Sequence, residues 1–246
     1  MLEKSRLWLA KYDDLQNLGS RKVGLILALL TGMCFLVYLL VGLYYGPIIS
    51  PDGKRDAAYA LNLIGVGFNP VEYLETVDMP QPGVQYLVYI YLLAFCRIVA
   101  GTQWFDLLII FNVLAYSATA FLTMSMAATI TNSLVGLLVV FFSLILGFEY
   151  YQWISISQSE ALFILVVAAV LYFLTKAFTI PTPQLKRRAI MIAVGLVVVS
   201  FFTRPTSPPV FGLIVAAFIV ISIGGFKSQS ILRGRLLLLI GAGALV

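Results

Sequence analysis

Runs of about 20 residues with almost no charge recur along this chain, and that length is what crosses the hydrocarbon core of a bilayer. The runs are continuous. A β-barrel would instead alternate polar and apolar positions, so helices are the expected spanning element. Candidate apolar segments fall at about 23–45, 84–100, 105–128, 133–149, 160–178, 189–203, 207–225 and 236–246. With 61% hydrophobic residues and a mean hydropathy of +0.99, the chain is expected to be an all-α, polytopic integral membrane protein.

Two regions are expected: a cytoplasmic N-terminal tail or interfacial helix over 1–22, and a transmembrane domain over 23–246 whose first outer loop covers about 46–104. The first apolar run follows a polar tail and carries no small-residue cleavage pattern, so it reads as a retained anchor. Leu7, Trp8, Leu15 and Leu18 could lay part of the tail on the inner surface as a short helix. The last segment is too short to span, which makes the chain the expected N-terminal part of a longer protein.

Charge placement sets the expected orientation. Lys4, Arg6, Lys11, Arg21 and Lys22 assign the N-terminus to the cytoplasm, and the loops holding Lys176, Lys186–Arg188, Lys227, Arg233 and Arg235 belong there too. If every segment crossed, the loop after 160–178 would fall outside. One earlier segment should therefore not span, and 84–100 is the choice: it is short, contains Arg97, and is rich in Tyr86, Tyr89 and Tyr91, which favour the interface. It is expected to be a juxtamembrane or re-entrant helix on the outer side. The net charge of +5 then reflects membrane orientation and implies no nucleic-acid partner. The expected location is a bacterial inner or plasma membrane.

Histidine is absent, which excludes Ser-His-Asp chemistry and His-ligated metals. Any proton transfer falls to carboxylates, Lys, Tyr or Cys. Cys34 and Cys96 lie inside apolar segments and read as packing residues.

Five of the eleven carboxylates, Asp52, Asp56, Glu72, Glu75 and Asp78, gather in the first outer loop. Ser50 or Asp52 could cap a helix from Lys54 to Ile64, with Gly65 as its stop, and a capped loop is also a rigid mount for a catalytic base. Ser157 and Glu160 have the spacing of a capping box, and Glu149 stands beside Tyr150, Tyr151 and Trp153 as part of an interfacial anchor. Arg204 lies between two apolar segments with little polarity nearby. Either it snorkels to water or it binds phosphate through its two-pronged guanidinium. Lys54 and Arg55 could add positive charge to such a site or simply be solvated.

Several of these patterns, in order over about residues 20–215, resemble the GT-C superfamily of membrane glycosyltransferases, in the manner of aminoarabinose and mannosyl transferases. Ile49-Ser50-Pro51-Asp52 followed by Ala57, Ala58, Tyr59 and Ala60 resembles the superfamily's first outer loop. Pro80, Pro82, Tyr86 and Gly101 resemble its proline-led apolar segment. Ser157-Gln158-Ser159-Glu160-Ala161-Leu162 resembles its Ser/Thr-Glu-small-Leu signature, and Phe202-Thr203-Arg204-Pro205-Thr206 its Arg-Pro turn. The Pro-Pro-Leu/Tyr wording common in bacterial members is missing.

The resemblance implies a GT-C-type helix bundle with juxtamembrane helices in the first outer loop. It also implies transfer of a sugar from a polyprenyl-phosphate donor to a hydroxyl of a glycan, lipid or protein, with inversion at the outer face. Asp52 would be the general base, Glu160 a second acid that orients the acceptor or helps hold a divalent cation, and Asp56 the fallback base. Arg204, with Arg55 or Lys54, would face the leaving phosphate. A transporter or flippase for lipid-linked or small solutes, or a non-catalytic subunit of the same architecture, is the alternative. A transporter should carry polar groups in mid-span, and there the sequence offers only Asn112, Ser117 and Thr119, with Asp106 near a segment end.

Overall fold

The computed structural model describes residues 14–77, 84–147 and 149–204, together with Gly212. The tail up to residue 13, Asp78, Pro80, Pro82, Pro205, Thr206 and, Gly212 apart, the apolar segments expected at 207–225 and 236–246 lie outside them. The described residues form helices, two short 3-10 turns and two isolated β-bridges, with no strand.

The helices are α1 (Ser20–Tyr45), α2 (Pro51–Gly65), α3 (Pro70–Thr76), α4 (Leu87–Ala100), α5 (Trp104–Thr131), α6 (Leu134–Leu146), α7 (Glu149–Ser155), α8 (Glu160–Thr179) and α9 (Pro183–Phe201). Ser20–Tyr45, the run Leu87–Thr131 and Glu160–Thr179 are long and apolar enough to cross a membrane. Membrane association follows from their composition. Helix α1 shows it most directly, because it buries only Cys34, Tyr38 and Gly42, spaced four apart, and is apolar on its other faces too.

Helix α5 is the axis of the bundle and packs against α1, α4, α6 and α8, while α9 packs on α8. Its 28 residues span about 42 Å at 1.5 Å per residue. At its C-terminal end Asn132 takes the left-handed conformation (φ 51°) and donates to Asp14 at 2.6 Å. The N–H of Leu15 donates to the Asn132 carbonyl, so the start of α1 and the end of α5 share one end of the bundle. Toward the other end, Gly42 of α1 lies against Ile109 and Val113 of α5 and against Ile154.

The 45-residue apolar run Leu87–Thr131 is not one rod. Gly101 adopts φ 56° and breaks it, and the Phe95 and Phe111 rings lie 6.1 Å apart. Sixteen residues along a straight helix would separate them by about 24 Å, so α4 folds back along α5. The start of α4 meets the end of α9, where the Val88 N–H donates to the Phe202 carbonyl. Arg97 does not reach out to water alone. Its guanidinium lies 4.6 Å from the Trp104 ring centroid, across the break.

The resulting path places Arg21, Lys22, Lys176 and Lys186–Arg188 toward one end, here the basic end, and α2, α3 and α4 at the opposite, acidic end. Helices α1, α6 and α9 lead away from the basic end; α5 and α8 lead back. Helix α6 has only 13 residues, about 20 Å, and α7 completes its climb. Leu15–Leu18 forms a 3-10 turn with Leu15 buried, where the sequence pointed to a surface-lying helix.

Candidate active site

Two loops meet at the acidic end. Residue 48 forms a parallel bridge with residue 156: the Ile48 N–H donates to the Ser155 carbonyl at 2.8 Å, and the Ser157 N–H donates to the Ile48 carbonyl at 3.1 Å. Ser50 then caps α2, accepting from the Gly53 N–H at 2.9 Å, while its hydroxyl donates to the Ser157 carbonyl at 3.2 Å. Pro51 occupies the first helical turn, where a missing N–H costs nothing. The cap is thus Ser50, and Asp52 is left free for other contacts.

Gly53 is what lets α2 come this close. A Cβ there would lie 2.2 Å from the Ser157 hydroxyl oxygen and 2.5 Å from its carbonyl oxygen. Only hydrogen fits in that space.

The first two turns of α2 carry the charges. Arg55 donates through Nε and Nη2 to Asp56 at 2.9 and 2.8 Å, and through Nη1 to Asp52 at 3.2 Å. The two acids differ in access. Asp56 is 2% exposed, whereas the Asp52 side chain is 61% exposed. Burial pushes the Asp56 carboxyl above its ordinary value; Arg55 opposes this only in part, and Asp52 and Glu160 push it further up. Burial disfavours the Arg55 charge, but Asp56 and Asp52 outweigh it and hold the guanidinium above its ordinary value.

Glu160 begins α8, where the helix dipole favours a carboxylate. The capping box expected from Ser157 does not form: the capping position is Ser159, and no side chain bonds the helix start. Glu160 instead accepts from Arg204 Nη1 at 2.9 Å, across 44 residues of sequence. The Gln158 amide, turned with its nitrogen toward the carboxylate, donates to both Glu160 oxygens at 3.1 and 3.2 Å. Arg204 therefore neither snorkels alone nor stands free.

Tyr86 joins the two ion-paired groups. Its ring lies 5.4 Å from the Arg55 guanidinium, and burial pushes its phenol up while Arg204 pulls it back. The residue was visible in the sequence as an interfacial tyrosine and as part of the proline-led segment; nothing in a separation of 31 residues announces its stacking on Arg55.

The structure thus brings together Asp52, Arg55, Asp56, Glu160 and Arg204. Three carboxylates and two guanidiniums leave a net formal charge of −1 on the cluster. Lys54 is not part of it. It is exposed and about 200° round the helix from both Asp52 and Asp56. Glu72 and Glu75 belong elsewhere, on α3, where Glu72 accepts from Asn69 at 2.7 Å. The five-acid loop is therefore not one cluster. Among the described residues no group of three His, Cys, Asp or Glu side chains lies close enough to hold a metal ion.

The three mid-span polar groups that the sequence offered are all bonded within the protein. Asn112 donates to the Ile154 carbonyl, which ties α5 to α7, and Ser117 and Thr119 bond back to their own helix. No protein-family model matches the chain, and neither does any curated protein or solved structure.

Proposed function

We propose that the acidic end is the active site of a glycosyltransferase that moves a sugar from a polyprenyl-phosphate donor to an acceptor hydroxyl. One observation carries this reading: Arg55 is bonded to the accessible Asp52, and Arg204, far away in sequence, is held on Glu160 close enough for the two carboxylates and for Tyr86 between the arginines to feel one another, at the end of a membrane-embedded bundle. A lipid-linked phosphate would enter from the bilayer, and a water-soluble acceptor from the open side.

Asp52 is the base in this scheme, because it is the exposed carboxylate of the three. It takes the proton of the acceptor hydroxyl as that oxygen bonds to the anomeric carbon. The bond from that carbon to the phosphate oxygen breaks on the opposite face, giving inversion, and its electron pair leaves with the phosphate. Arg204 and Arg55 stabilise the charge that develops there. Asp56 holds Arg55 and does not contact substrate. Glu160 holds Arg204 until the phosphate competes for it, and is then free to orient the acceptor. The scheme uses no metal ion. The bonds already made by Asn112, Ser117 and Thr119 disfavour the transport alternative.

The test is transfer of radiolabelled sugar from a polyprenyl-phosphate donor by purified protein in liposomes. Asp52→Asn should lower the rate by about 10²–10⁴-fold, the usual contribution of a general base, at unchanged folding. Transfer at the wild-type rate would exclude Asp52 as the base.

A further inference from the structure

A second candidate site lies at the opposite, basic end, between α1, α5 and α8. There an open groove of about 470 Å³ is walled by Val23, Leu27, Phe121 and Ala128, with Leu15 of the Leu15–Leu18 turn at its head. Lys176 stands at the groove with its ammonium 5.5 Å from the Tyr172 ring centroid. It makes no ion pair among the described residues. The carboxylate at this head, Asp14, accepts from Asn132 and does not line the groove.

Deeper in, Ser125 lines the same groove. Its hydroxyl is fully buried and has no hydrogen-bond partner, although the neighbouring Thr129 hydroxyl bonds back to the Ser125 carbonyl. A buried hydroxyl without a partner is costly where water is absent, and it points to a ligand atom that would accept from it. Ser125 is seven residues from Asn132 at the helix end, about 10 Å along the axis.

We infer that this groove binds one anionic phospholipid. The phosphate would sit on Lys176, an ester carbonyl would accept from Ser125, and an acyl chain would run between α1 and α5. The charge of the surroundings selects an anionic lipid over a zwitterionic one, because Arg21, Lys22, Lys186, Arg187 and Arg188 lie at the same end. Each such cation near the surface favours an anionic headgroup. The apolar walls select a lipid over a free phosphate ion. This site is separate from the acidic end and does not depend on the reaction proposed there.

The test uses the full chain in nanodiscs of phosphatidylcholine doped with phosphatidylglycerol or phosphatidylcholine that carries a diazirine on one acyl chain. After photolysis, label on Val23, Leu27 and Phe121 should favour the phosphatidylglycerol probe by about fivefold, the discrimination one lysine supplies. Lys176→Ala should reduce the phosphatidylglycerol signal to the phosphatidylcholine level, and Lys176→Arg should keep it. If Lys176→Ala does not fold, the comparison of the two headgroups on the unaltered chain still decides. Equal labelling by the two probes would mean ordinary boundary lipid and overturn the inference. So would a p-benzoylphenylalanine replacing Phe121 that cross-links to residues 1–13, because the chain itself would then fill the groove.

Discussion

Substituting Gly53 by Ala separates two effects of opposite sign. Alanine is the better helix former by about 1 kcal/mol, so propensity alone says that the variant is more stable. The structure says the reverse. The new Cβ would lie 2.5 Å from the Ser157 carbonyl oxygen, and ordinary contact begins at 3.4 Å, so α2 must withdraw by about 0.9 Å. Overpacking of this kind costs about 1–3 kcal/mol, and loss of the Ser50–Ser157 hydrogen bond adds about 1 kcal/mol. Net of propensity, we expect destabilisation of about 2 kcal/mol. At about 2–4 °C per kcal/mol for a chain of this size, the unfolding midpoint in detergent should fall by about 4–8 °C. The withdrawal also carries Asp52 and Arg55 away from Glu160 and Arg204, and a displacement near 1 Å can cost about 10²-fold in rate. Adding Ser157→Gly removes the side-chain clashes at 2.2 and 2.8 Å but leaves the carbonyl, so rescue should be partial. An unchanged or raised midpoint for Gly53→Ala would refute the close approach, and complete rescue would show that the hydroxyl alone is the obstacle.

Arg204→Ala leaves Glu160 largely buried without its cation, which should cost about 2 kcal/mol, between the values for exposed and buried pairs. Arg204→Ala with Glu160→Gln should recover most of that loss, and chemical denaturation of the single and double variants measures the coupling. In the transfer assay, Arg204→Lys keeps the charge but not the fork, so it should lose donor affinity, though less than Arg204→Ala; full affinity with lysine would argue against two-pronged phosphate binding. The Asp56 carboxyl is held above its ordinary 3.8, so the folded state binds its proton more tightly than the unfolded chain. Its contribution is therefore greatest below pH 3.8 and is lost as pH rises through the raised folded value. Asp56→Asn should flatten stability against pH across that interval, and a slope identical to that of the unaltered chain would exclude Asp56 as its source.

How much of this was legible in the sequence depends on the separation of the partners. The apolar runs near 23–45 and 160–178 became α1 and α8 because hydrophobic length is a local property. The Ser50-Pro51 helix start was legible for the same reason, since an N-cap acts within three residues. Ser157 and Glu160 had capping spacing too, yet that local rule lost to two distant demands. The Ser157 backbone is held by Ile48 and Ser50, and the Glu160 carboxylate by Arg204. Gly53 carried a signal that went unused: a glycine in the first turn of a helix is an energetic loss, tolerated where another backbone must come close.

Asp56 poses the same problem within a single turn. The sequence sets it four residues from Asp52 on an amphipathic helix, so both fall near one face, and nothing local tells them apart. The difference arises from what covers that face. Helix α4 packs on α2 and brings Tyr89 near the buried Asp56, while Asp52, one turn nearer the helix start, is largely exposed. One guanidinium bonds both acids, so Arg55 ties a buried charge to an exposed one. A substrate phosphate competing for Arg55 would break its single 3.2 Å bond to Asp52 before the two shorter bonds to Asp56. The buried carboxylate therefore restrains the arginine, and the exposed one is left as the group able to accept a proton from outside. This division of roles follows from the covering helix and could not be read from residues 51–65 alone.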